Sequence, residues 1–209
     1  GYDYDAYSPS LFMKDVSVQD GKLTLPHGMQ YRLLLLPDVK LMTLPMLRKI
    51  KDLVEAGAVA LGNPPQQVPG LTDYPKADAE LKKLADALWG TDETVKQRAV
   101  GKGRVLRGMK AEEVLARLGI APDFTADRSL RWIHRTADGM EIYFVASGED
   151  KPQQAACTFR QSGKCPEFWD PQTGRIAPVR YYEQENGQTR VPISFEPSEN
   201  TRRAREHYR

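Results

Sequence analysis

The spacing of apolar positions changes partway along this chain, and the change divides it. Residues 30–62, QYRLLLLPDVKLMTLPMLRKIKDLVEAGAVALG, read as strand, helix, strand. The four leucines at 33–36, closed by Pro37-Asp38, are too short for a helix and suit a strand buried on both faces of a sheet. Leu44, Leu47, Ile50, Leu53 and Val54 then recur at helical spacing, with Thr43 as cap, Pro45 in the first turn and Gly57 as the stop. Residues 58–61 form the next strand, which makes a βαβ unit with a right-handed crossover. Ahead of it, the pattern predicts a short helix over 5–13 and a hairpin of 16–18 with 23–25 across Gln19-Asp20-Gly21. Behind it come a long loop from Gly62 to Pro75 and a helix carrying Leu81, Leu84, Ala85 and Leu88 that ends at Gly90. A strand over 104–107 and a helix over 110–118, stopped by Gly119, complete this half.

Past Thr125 the period becomes that of strands. Residues 130–135 and 141–146 flank the turn Ala137-Asp138-Gly139, and 155–160, 167–169 and 179–183 are further short strands. Asn186-Gly187 is the clearest hairpin signal, because both residues tolerate the positive φ of a type I′ turn, and 190–195 returns from it. Residues 170–174, DPQTG, read as another tight turn. The pattern therefore predicts an α/β part over 1–124, with a junction at Ala121-Pro122-Asp123, and an antiparallel β-sandwich portion over 125–197. Residues 198–209 lack apolar periodicity and are expected to be a basic, disordered tail.

Composition narrows the function classes. Of the 209 residues 40% are hydrophobic, enough for a core but slightly below the globular norm. The net charge of +2 lies entirely in the tail, where four arginines face two glutamates, so no domain-wide basic face exists and nucleic acid is not an expected partner. No apolar run approaches the length of a membrane span, and a membrane is not an expected partner either. The start, GYDYDAYSPS, has neither the basic nor the apolar region of a signal peptide. With two cysteines, Cys157 and Cys165, and three scattered histidines, no metal site or cofactor is expected; two unpaired thiols and a cross-strand disulfide both remain open.

Catalytic signals are missing where an open α/β sheet would carry them. Ligands of such sheets bind beyond the carboxyl ends of the strands, here Pro37–Lys40, Gly62–Pro65 and Gly108-Met109. None offers a Ser or Cys elbow with a histidine nearby. Asp38 reads as a turn residue, with a hydroxyl or metal ligand as the alternative. GKGR at 101–104 is glycine-rich and basic but lacks the spacing of a phosphate loop and precedes a strand, so a turn is the expected role. Glycosidic chemistry needs two carboxylates flanking a sugar, and nothing pairs any two here, although Glu141, Glu167 and Asp170 lie on or beside strands. The most suggestive local group is His134 and Arg135 after Trp132, an imidazole and a guanidinium beside an aromatic that could hold a sugar; Trp169 could stack on one. The competing role for these residues is strand pairing and core filling.

GYDYD, DGKLTLPHGMQYRLLLLPDVKLMTLPMLRKIKDLVEAGAVALG, LRWIHRTADGMEIYFVAS and PEFWDPQTG together resemble the C-terminal part of glycoside hydrolase family 106, the bacterial α-L-rhamnosidases. The resemblance runs to about Pro197. It implies that the α/β half is a partial flavodoxin-like, class I glutamine-amidotransferase-like, three-layer unit lacking its first strand–helix pair, and that the β half begins the next sandwich. It also implies a periplasmic or extracellular setting. The family's acid and base carboxylates and calcium ion act from a barrel that would lie upstream of Gly1, so no residue here inherits a catalytic role. The expected partner is that barrel. A carbohydrate-binding module built on Trp132, His134, Arg135 and Trp169 is one alternative, and a homodimer through an exposed sheet edge is another. The ending SENTRRAREHYR departs from the family and reads as a truncation or altered frame, leaving the β half with an open edge.

Overall fold

A computed structural model of the protein describes residues 1–71, 73–171 and 173–197, together with the backbone of strand 204–208. It forms two units, one of Ala6–Ile120 and one of Ala121–Arg209 joined by Gly1–Asp5. The first residues belong with the β unit because Asp123 N–H donates to the Gly1 carbonyl at 2.7 Å.

In the α/β unit, helix α1 (Pro9–Asp15) is capped by Ser8 and precedes a small antiparallel sheet of β1 (Ser17–Gln19), β2 (Lys22–Thr24) and β3 (Gln30–Tyr31). The β1–β2 hairpin turns at Asp20-Gly21 as the pattern predicts, whereas β3, only two residues long, carried no periodicity to reveal it. The larger sheet has the order β4-β5-β7-β6, from β4 (Leu34–Leu35), β5 (Val59–Leu61), β7 (Gly103–Leu106) and β6 (Gln97–Val100). β4, β5 and β7 run parallel and β6 antiparallel. Its helices are α2 (Leu44–Ala56), α3 (Lys76–Trp89) and α4 (Ala111–Arg117).

Alternation along the strands feeds two cores. Ala58, Ala60 and Val105 pack with Leu47, Ile50 and Val54 of α2 and with Leu81 and Leu88 of α3. Val59, Leu61 and Leu106 pack on the opposite side with Val114 of α4. The sheet is thus covered on both faces, as parallel sheets are. One expectation needs correction: the leucine run is not buried throughout, since Leu35 is 62% exposed. β4 is the edge strand of this sheet, and only a central strand is enclosed on both sides.

α2 begins and ends as its residues dictate. The Thr43 hydroxyl oxygen accepts from Met46 N–H at 3.4 Å. At the other end Gly57, at φ 129°, lets its own N–H reach Val54 and that of Ala58 reach Leu53 at 2.9 Å, which satisfies carbonyls the helix leaves open. Thr43→Ala is expected to lower stability by about 1 kcal/mol, read as a shift of the urea midpoint at unchanged slope.

The GKGR segment closes the β6–β7 hairpin. Lys102 N–H donates to the Glu55 carbonyl at 2.9 Å and Arg104 N–H to the Ala58 carbonyl at 3.2 Å. Its main-chain donors face the end of a helix, which accounts for the glycines without a bound anion.

The β unit contains β8 (Phe124–Ala126), β9 (Arg131–Ala137), β10 (Met140–Ala146), β11 (Gln153–Phe159), β12 (Pro166–Trp169), β13 (Ile176–Pro178), β14 (Glu183–Glu185), β15 (Gln188–Phe195) and β16 (Ala204–Tyr208). One sheet has the order β13-β12-β16-β10-β9 and the other β14-β15-β11-β8. Both contribute to one core: Tyr143 and Val145 from the first, Phe124, Cys157, Phe159, Val191 and Ile193 from the second. Asn186 and Gly187 take φ values of 52° and 76°, the geometry a type I′ turn demands.

Two readings change here, and one open alternative is decided. The strand expected over 179–183 is absent, and β13 and β14 stand on either side of a bend. Cys157 and Cys165 do not bond to each other, one being buried and the other exposed. Of the tail expected to be disordered, residues 198–203 and 209 lie outside the described residues, but Ala204–Tyr208 forms β16, hydrogen-bonded to both β10 and β12. A ladder uses backbone groups, so it forms without apolar periodicity wherever two strands leave a gap. This strand lies between β10 and β12 in the sheet.

Candidate functional site

Titratable groups converge most closely on the inner face of the β9–β10 hairpin. The two-residue turn at Asp138-Gly139 sets the register, which pairs His134 with Tyr143 and Thr136 with Glu141. Alternation then sends Trp132 and His134 inward and Arg131, Ile133 and Arg135 outward. His134 lies flat on the Tyr143 ring, centroids 4.0 Å apart and planes 10° from parallel.

Both ring nitrogens of His134 are engaged by carboxylates. Nδ1 is 2.8 Å from Asp123 Oδ2 and Nε2 is 2.8 Å from Glu141 Oε2. Asp123 is buried, and its other oxygen accepts from the Tyr143 hydroxyl at 3.0 Å and from Arg160 Nη2 at 3.2 Å. Thr136 donates its hydroxyl to Glu141 Oε2 at 2.9 Å. The position of Asp123, just ahead of β8, ties one sheet of the unit to the other.

The electrostatics follow from that geometry. Burial is the largest influence on His134 and pushes its pKa down, but the hydrogen bonds and charges of Asp123 and then Glu141 outweigh it, leaving a net rise. Burial likewise pushes Asp123 up, yet His134, the Tyr143 hydroxyl and Arg160 together hold it below the ordinary carboxylate value. Tyr143 is raised, first by burial and then by the charge of Asp123. An imidazolium donating from both nitrogens to carboxylates is the state this arrangement favours. Such a ring has no lone pair with which to take a proton from a substrate, and its two bonds link Asp123, just ahead of β8, to Glu141 of β10.

The four residues singled out from the sequence do not form one platform. Trp132 and His134 come together inside the unit, with Trp132 packed 5.5 Å from Phe124 and 6.5 Å from Tyr143, centroid to centroid. Arg135 points to the other face of β9, where it pairs with Asp3 at 3.6 Å. Trp169 lies on β12, three strands from β9, and donates from Nε1 to Glu167 Oε2 at 3.3 Å. Sequence reasoning missed Asp123, Tyr143 and Arg160. The hairpin turn could have supplied Tyr143 as the cross-strand neighbour of His134, whereas Asp123 and Arg160 arrive only through the second sheet.

In the α/β unit, residues following the parallel strands are tied to one another. Asp38 Oδ1 accepts from Asn63 Nδ2 at 3.1 Å, and the Trp89 indole donates to the Gly62 carbonyl at 2.8 Å. Arg107, just after β7, is buried and donates to the carbonyls of Val95 at 3.0 Å, Trp89 at 3.4 Å and Asp92. Among the described residues no three His, Cys, Asp or Glu side chains converge as metal ligands would. Nor, among them, is any helix long and apolar enough to cross a membrane.

Comparison with known proteins agrees with the motif resemblance. A family model described as alpha-L-rhamnosidase, glycoside hydrolase family 106, matches residues 1–183. A putative beta-glucuronidase of Formosa agariphila is 34% identical over 196 residues, which are 93% of this chain and 16% of that protein. The rhamnosidase structure from Novosphingobium sp. PP1Y superposes with a TM-score of 0.81 at 29% identity, covering 94% of this chain and 18% of that one. A GH42 beta-galactosidase from G. stearothermophilus shares the fold alone, with a TM-score of 0.53 at 12% identity over 86% of this chain and 32% of its own. The chain therefore spans less than a fifth of the length of the first two.

Proposed function

This chain belongs to glycoside hydrolase family 106, the alpha-L-rhamnosidases, and on that premise we propose that it is a non-catalytic accessory region of a longer enzyme acting on rhamnose-containing polysaccharide. Its α/β unit is a partial flavodoxin-like, glutamine-amidotransferase-like layer structure, and its β unit is a portion of a β-sandwich. Their role is to brace a catalytic barrel and shape one rim of its sugar site, in a periplasmic or extracellular setting.

The observation that carries this reading is the internal saturation of the acid–imidazole cluster around His134. His134 is engaged at both nitrogens, and Asp123 at both oxygens. A catalytic pair of carboxylates has to leave room between them for a sugar and a water or nucleophile; here an imidazole fills the space between Asp123 and Glu141. The residues after the parallel strands add to this, with Asn63 bonded to Asp38, the Trp89 indole to the Gly62 carbonyl and Arg107 to the Val95 carbonyl. The purified chain is expected to give no turnover of an aryl α-L-rhamnoside. Hydrolysis that co-purifies with the protein and is lost in Asp123→Asn or Glu141→Gln would refute the accessory role.

A further inference from the structure

On the outer face of the sheet β14-β15-β11-β8 lies a groove made by different residues from the His134 cluster. Along β15, Val191 and Ile193 enter the core while Arg190 and Pro192 face outward. Pro192 pairs in register with Ala156 of β11, and the two give the groove a small, smooth floor. The β14–β15 ladder stops at Glu183↔Arg190. Pro192 has no N–H with which to extend it, and Arg180, Tyr181 and Tyr182 run beside it outside any strand. A groove of about 520 Å3 results.

Its walls combine aromatic rings with positive charge. Tyr181 is 80% exposed and the adjacent Tyr182 is 37% exposed. Single apolar side chains at a surface need no explanation, but neighbouring aromatic rings rimmed by charge mark a surface made for contact. Arg180, Arg190 and Glu183 line the groove, a net excess of one positive charge. Among the described residues the ion pairs of the β unit use His134, Arg135 and Arg160, so both of these guanidinium groups are available to a ligand.

We propose that this groove binds an acidic oligosaccharide, with sugar rings laid on Tyr181 and Tyr182 and a carboxylate held by Arg180 and Arg190. A pyranose presents C–H faces to an aromatic ring while its hydroxyls remain free for a polar rim. The guanidinium fork matches a carboxylate in shape and charge. The ligand class deepens the accessory reading and rests on it: the region would hold the polymer while cleavage occurs elsewhere in the enzyme.

Isothermal titration of the whole chain tests it, with an oligosaccharide of alternating rhamnose and galacturonic acid and with the methyl ester of the same compound. Saturable heat is expected for the acid, weakening as salt is raised. About tenfold weaker binding is expected for the ester, for Tyr181→Ala and for Arg190→Gln. Tyr181 is largely in water, so Tyr181→Ala should melt with the parent chain, which separates lost binding from lost folding. No saturable heat with the acid, or equal affinity for acid and ester, overturns the proposal. So does concentration-dependent sedimentation that Tyr181→Ala abolishes, which would make this face a contact between copies. The aryl rhamnoside assay on the same sample keeps the two ideas apart: hydrolysis defeats the accessory reading, whereas absence of heat without hydrolysis defeats the groove alone.

Discussion

Gly103→Ala is expected to unfold the α/β unit, or to cost at least about 3 kcal/mol if the unit survives. A Cβ at this position would lie 2.2 Å from the Ala58 carbonyl oxygen, 2.3 Å from that of Val54 and 2.9 Å from the Gly57 carbonyl carbon. These are backbone atoms at the end of α2 and the start of β5, so no side-chain rotation relieves the overlap. β7 would have to move away from β5, breaking the parallel ladder that runs Val59↔Arg104 to Leu61↔Leu106. Gly148→Ala is the control, because a Cβ there meets nothing within 4 Å, and it should change stability by less than about 0.5 kcal/mol. Equal urea midpoints for Gly103→Ala and the parent chain would show that the close approach is not needed.

Replacing Asp123 by Ala should cost about 3 kcal/mol and loosen the β unit. The change strips the buried Tyr143 hydroxyl of an acceptor and removes one of the two carboxylates that hold His134. The contribution of Arg160 is smaller, since it reaches solvent. Hydrogen exchange at the β10 amides, next to the lost contact, is the direct readout; protection equal to that of the parent chain would contradict the structural role.

The same cluster gives stability a defined pH dependence. The pKa of His134 is raised on folding, so its contribution is complete below about 6.5, the ordinary histidine value, and is lost as pH rises through the folded value. Asp123 is depressed, so its contribution is complete above about 3.9 and is lost as pH falls through the folded value. Their combined stabilisation is therefore greatest under mildly acidic conditions. His134→Gln should flatten the decline on the alkaline side and also weaken the acid limb, because His134 is the first of the groups that hold Asp123 low. Superimposable pH–stability curves for the two proteins would remove His134 from the account.

Much of the α/β unit was legible because its signals are local. Thr43, the apolar stripe of α2 and Gly57 mark a helix with both its ends, since capping and amphipathicity involve residues a few positions apart. The hairpins at Asp138-Gly139 and Asn186-Gly187 were legible for the same reason. What failed depended on neighbours distant in the chain. Residues 33–36 carry the pattern of an enclosed strand, and only the strand order makes β4 an edge. Residues 204–208 carry no strand pattern, and only the gap between β10 and β12 recruits them. His134 was identified as chemically suggestive, but nothing around it in sequence foretold a carboxylate at each nitrogen.

The amino-acid order alone therefore established the mixed α/β plus β character, the main helices and hairpin turns, and the kinship with rhamnosidases, because these rest on short-range periodicity and contiguous motifs. Packing of one sheet against the other decided what His134 does, by bringing Asp123 and Arg160 to it from the second sheet. It also settled which face of each strand is in water, and so where Tyr181 and Arg190 stand. A proton's affinity and a side chain's exposure depend on everything within a few ångströms, and most of that surrounding matter comes from elsewhere in the chain.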